Sequence, residues 1–171
     1  MPSASRNGLF LGIALIIYQA ILYLADIGTN SAMNYLIIVV IAAGLFLCVK
    51  QYRDQENEGF ISYGRSVGYS LLVSLFAGFI SAAFIYVLYK YIDLTIIDKI
   101  ILESEDRILE TIKDEAQAEQ AIEMNKLLIT PGFIAMGVVL NVFILGLVCS
   151  LILSIFLKKE NFLKKFDTDT L

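Results

Sequence analysis

The sequence predicts an all-α integral membrane protein, a bundle of four transmembrane helices with a helical extramembrane segment between the third and the fourth. Three observations carry that. Hydrophobic residues make up 58% of the 171-residue chain and mean hydropathy is +0.74. Four apolar stretches contain no charged residue. Only 18% of residues are charged, against the usual quarter for soluble domains. A soluble domain of this size could not bury so much apolar surface, so lipid must cover part of it.

The spans are expected at 8–25, 32–49, 67–89 and 133–157, within one domain, 1–171. At 1.5 Å per residue the shorter ones reach roughly 27 Å, close to a hydrocarbon core of about 30 Å. Backbone amides in lipid must pair within their own segment, so each stretch should be a helix. The first run is longer than a signal-peptide core and no small-x-small cleavage site follows it, so it is expected to remain as a span.

The connections differ in kind. Asp26–Ser31 reads as a tight polar turn that makes a hairpin of the first two spans, with Asp26 capping it. Lys50–Ser66 reads as a short loop with charge of both signs. The stretch 93–129 is an acidic helical insertion: between Asp93 and Lys126 stand ten acidic and four basic residues, net −6, which leaves +2 for the rest. It lacks glycine and proline, Thr95-Ile96-Ile97-Asp98 resembles a capping box, and Ile97, Ile101, Ile108 and Ile112 recur at helical spacing. A single helix there would run about 50 Å from the membrane. Both ends must return to it, so we expect a turn near Asp114–Gln117. Thr130-Pro131 should open the fourth span as N-cap and first helical residue.

Orientation follows from Lys and Arg. Arg6, Lys50, Arg53, Arg65, Lys158, Lys159, Lys164 and Lys165 share one side, whereas the five opposite are diluted by ten acids. The positive-inside rule then puts both termini in the cytoplasm of a cell inner membrane and the insertion outside. Tyr63 and Tyr69, and Tyr86, Tyr89 and Tyr91, fall at the two ends of the third span, where amphipathic rings settle. The basic tail Lys158–Phe166 reads as a topological anchor.

Ser66, Ser70, Ser74, Gly78 and Ala82 follow one another at four-residue spacing on the third span. Lipid offers no hydrophobic drive for helix association, so small residues that let backbones approach are expected to form a helix-packing seam. The competing reading is a hydroxyl-lined path. Gly8 and Gly12, and Gly146, Ser150 and Ser154, repeat the pattern. The spacing leaves open whether the partner helix belongs to the same chain or a second copy, so a homo-oligomer is a candidate state. Gln19 and Asn141 are polar groups at depth and are expected to face the bundle interior, bonded to each other or to a carbonyl.

No histidine is present, and Cys48 and Cys149 lie inside apolar runs, which points to buried hydrophobes rather than disulfide or metal chemistry. Glycine-loop, dinucleotide, zinc-protease and nucleophile-elbow motifs are missing, as is a basic aromatic patch for nucleic acid. Neither catalytic residues, a cofactor nor a metal is therefore expected. The partners expected are the lipid bilayer and a protein at the acidic helices. The alternative function is a small transporter or channel component.

Gly8–Gly12 leading to Leu22-Tyr23-Leu24-Ala25-Asp26, then Gly59-Phe60-Ile61-Ser62-Tyr63-Gly64-Arg65, Ala77-Gly78, Ile92-Asp93, Thr130-Pro131 and Leu157-Lys158-Lys159-Glu160 come in a specific order. In that order the chain resembles the bacterial four-span membrane proteins catalogued as domain of unknown function 4199, over nearly its whole length. The resemblance implies an inner-membrane location and supplies no catalytic residues.

Overall fold

The computed structural model describes residues 2–25 and 31–159. Six α-helices account for most of it: α1 (Pro2–Leu24), α2 (Ser31–Glu56), α3 (Tyr63–Val87), α4 (Thr95–Thr111), α5 (Glu115–Leu128) and α6 (Pro131–Leu157). A π-helical turn, Leu88–Ile92, follows α3. Segments within α1, α2, α3 and α6 are long and apolar enough to cross a membrane, so this is a membrane-embedded all-α protein. The expected cap at Asp26 and the tail beyond Lys159 lie outside the described residues.

Backbone contacts divide the chain into two units, residues 1–81 with 140–171, and residues 82–139. In the first, α1 and α2 are antiparallel. Ser3 Oγ donates to Glu56 Oε2 at one end (3.0 Å), and further along Gly44 abuts Leu11. α3 runs parallel to α1 and antiparallel to α6. Leu11, Leu15, Ile41, Leu45, Val73 and Ala77 fill the core among these helices.

α2 is longer than its apolar stretch, continuing through Gln51-Tyr52-Arg53 to Glu56, so the expected loop from Lys50 shrinks to residues 57–62. A helix need not stop where its apolar run stops; the charged last turns of α2 continue past it. What stops it is a left-handed turn through Glu58, at φ +53°, and Gly59, at φ +83°. The Gly59 amide bonds back to the Arg53 carbonyl at 2.9 Å. The chain then pairs briefly with the end of α6, Ile61 and Lys159 exchanging amide–carbonyl bonds of 2.9 and 3.0 Å.

In the second unit α4 and α5 form a hairpin. Ala118 is buried, Ile97, Ile101, Ile108 and Ile112 are half-buried, and Lys126 pairs with Glu105 at 2.8 Å. The turn is residues 112–114, earlier than the expected Asp114–Gln117, because Asp114 serves as N-cap of α5 and accepts from the Gln117 amide at 3.0 Å. The expected capping box at Thr95–Asp98 does not form. Asp93 instead takes both the Thr95 amide (3.0 Å) and its hydroxyl (2.6 Å). A carboxylate two residues upstream competes successfully for the Thr95 amide that the box would have used, and it engages the hydroxyl that the box needs as an acceptor. Thr130 caps α6 as expected, its hydroxyl accepting from the Phe133 amide at 3.3 Å.

Candidate functional site

All five seam residues of α3 are buried, with Ser66 and Ser74 fully enclosed. What faces the Ser66–Ser74 part of this line is the small-residue line of α6. Ser154 Oγ donates to Ser66 Oγ at 2.8 Å, and two turns further a Cβ on Gly146 would collide with the Ser74 side chain. This antiparallel register brings Ser150 opposite Ser70. Both of those hydroxyls bond back to their own helices, Ser70 to the Ser66 carbonyl (2.9 Å) and Ser150 to the Leu147 carbonyl (2.8 Å). A neighbouring face of α3 takes α1, where a Cβ on Gly8 would strike Phe76 and one on Gly12 would come within 2.9 Å of Ile80. Small residues thus hold α3 against two helices at once, by close backbone approach.

Gln19 is partly buried and its Nε2 donates to Ser81 Oγ at 2.8 Å, tying α1 to α3. Asn141 does not join it. It stands on an exposed face of α6, contrary to the expected inward orientation. α6 is apolar on every side, so its sequence offers no amphipathic stripe by which to orient the amide. Two buried polar atoms have no partner among the described residues, Ser74 Oγ and Gln19 Oε1.

At the end of the bundle where α1 and α3 begin there is a polar junction that the sequence reading missed. Asn7, buried in α1, donates from Nδ2 to the Tyr69 hydroxyl at 2.8 Å, and its carbonyl lies 3.9 Å from Cys48 Sγ. The Tyr69 ring stacks on Tyr52 of α2 at 3.8 Å between centroids, 5° from parallel. Tyr69 is therefore an internal clamp rather than the interfacial ring expected. Arg65 Nε donates to the Tyr52 hydroxyl (3.2 Å), and Arg53 reaches the Leu157 carbonyl that ends α6 (3.5 Å). All four membrane helices contribute to this junction. Asn7 had no signal of its own, because it sits one residue before the apolar run; the signal was its place on a helix that begins earlier. Chemically the junction offers neutral donors and acceptors and two guanidiniums. Among the described residues no cluster of three metal-ligating side chains occurs.

The family described as protein of unknown function DUF4199 matches residues 6–159. The chain belongs to that family. Neither the curated proteins nor the solved structures hold a match to it. The match begins at Arg6, beside the junction residue Asn7, and ends at Lys159, the residue bridged to Ile61, so the DUF4199 segment includes the junction and both seams.

Proposed function

We propose that this DUF4199 protein is a non-catalytic, multi-pass protein of a bacterial inner membrane that acts through contacts, inside the bilayer and at the acidic α4–α5 hairpin. One observation carries the reading: the small-residue seam is occupied by helix packing, and the polar groups at depth do not converge. Ser66 is bonded to Ser154, Gln19 to Ser81, and Asn141 faces away. Transport sites at depth are ordinarily built from ionisable groups directed at a shared cavity. The hairpin supports a protein partner outside the bilayer. It is rich in acids and leaves Leu102, Leu109 and Leu127 exposed, a surface suited to a basic partner with apolar anchors and ill suited to anionic lipid.

The alternative, a small transporter or channel component, draws support from the unpartnered Ser74 Oγ and Gln19 Oε1. Solute and ion flux in proteoliposomes separates the two. Contact function predicts no flux above empty vesicles for the parent chain. Flux that Ser74→Ala abolishes would replace the contact reading with the transport one.

A further inference from the structure

On α6 the residues Gly137, Asn141, Ile144, Val148, Leu151 and Ile155 alternate steps of four and three, the spacing of a coiled-coil seam. All six are exposed, the four large apolar ones by between 42% and 59%. Exposure of an apolar side chain means little on a membrane helix, because lipid is its solvent. Asn141 is different. It lies ten residues past Pro131, about 15 Å along the helix, in a hydrocarbon core about 30 Å thick. None of the side-chain hydrogen bonds among the described residues engages it. Among the described side chains of the four apolar stretches, it alone puts an amide on an exposed face. Hydrocarbon can neither donate to nor accept from that amide, and leaving it unpaired there is costly.

We propose that this face of α6 binds the same face of a second copy of the chain, with the two Asn141 amides paired across the axis. The partner follows from the amide and the bilayer together. Copies inserted by the same rule share one orientation, so a two-fold axis relating them runs along the membrane normal. The two α6 helices then pack in parallel, and a residue on the seam meets its own counterpart. An amide carries both a donor and an acceptor, so it is its own complement in that arrangement. The remaining positions agree. Asn141, Val148 and Ile155 take one heptad position, and Gly137, Ile144 and Leu151 the other. β-Branched residues at the first favour two-stranded parallel packing, and a single polar residue there fixes register. A Cβ on Gly137 would meet nothing within 4 Å among the described residues. Its missing side chain therefore serves no packing among them, and in the pair it lets the backbones close up one turn from Asn141. The inference goes beyond the contact function and holds whether or not the protein conducts solute.

Two measurements on the full chain in liposomes test it. With the buried native cysteines left in place, oxidation should cross-link Val148→Cys or Ile144→Cys into dimers. The parent chain and Phe10→Cys, exposed on α1, should stay monomeric on the gel. Energy transfer between labelled copies, followed as lipid is added, should show Asn141→Leu associating about five- to tenfold more weakly than the parent, since interhelical hydrogen bonds in membranes are individually modest. Asn141→Gln, which keeps the amide, should stay within about twofold of the parent. A parent chain that is monomeric at every lipid ratio overturns the proposal. So does cross-linking through Phe10→Cys as strong as through Val148→Cys, or an Asn141→Leu chain that associates as tightly as the parent.

Discussion

Ser74 and Gly146 face each other so closely that neither can grow. A Cβ on Gly146 would lie 2.6 Å from the Ser74 Cβ, closer than real Cβ atoms come. Gly146→Ala should therefore destabilise the bundle by about 1–3 kcal/mol, the cost of overpacking a core. Ser74→Gly in the same chain should recover most of that loss, because the collision is with this side chain alone. Thermal unfolding in detergent of the two single variants and the double closes the cycle; a double variant no better than Gly146→Ala would remove the pair from the seam. Ser74→Ala tests something else. Its hydroxyl is buried without a partner among the described residues, and an unpaired buried hydroxyl contributes nothing that alanine lacks. The variant should match or slightly exceed the parent in stability. Tyr69→Phe should behave oppositely. Removing the hydroxyl strands the buried Asn7 amide, at a cost of about 1–3 kcal/mol, measurable by the same unfolding experiment.

Among the elements, the four membrane helices and the seam on α3 were legible in the sequence because both depend on local pattern, an uninterrupted apolar run and a step of four. The seam's partner was not legible. Pairing Ser66 with Ser154 across 88 residues needs the register between two helices that are apolar all round, and nothing local encodes it. Asn141 was misoriented for the same reason, and Asn7 was passed over because the helix outruns its lipid-facing part. The α4–α5 hairpin was legible as a helical pair, but its turn was misplaced by about two residues. The capping box expected at Thr95–Asp98 and the turn expected at Asp114–Gln117 rest on the same polar residue types, and only geometry shows that Asp93 takes the Thr95 amide and that Asp114 caps α5. Asp114→Ala should then lower the stability of α5 by about 1 kcal/mol, as losing an N-cap does. Hydrogen exchange should quicken at the first amides of α5, Gln117 above all, and leave those of α1 and α3 unchanged. Equal exchange in the variant and the parent would mean that the Asp114 cap carries none of α5's stability.

For the whole molecule the decisive quantity is the distribution of charge about four crossings. Four crossings would put both termini on one side, and with them the residues 57–62 that join α2 to α3. Eight Lys and Arg fall on that side, all within the termini or close to the ends of membrane helices. That is where basic residues govern insertion; acids count for little in the rule. On four crossings the opposite side would hold five, four of them spread through the α4–α5 hairpin. The junction adds a physical reason for the strong side to stay together. Arg53 caps the end of α6 and Arg65 binds Tyr52, so two of the eight charges also tie the helices at that end. Both termini should therefore be cytoplasmic. A reporter active only outside the cytoplasm should be silent when fused at Leu171 and active when inserted at Asp114, and a cytoplasmic reporter should give the reverse. The acidic hairpin would then present its charge to the outer compartment, where a partner would have to find it. An active outside reporter at Leu171 would invert the chain and place the hairpin in the cytoplasm, and the search for its partner would move with it.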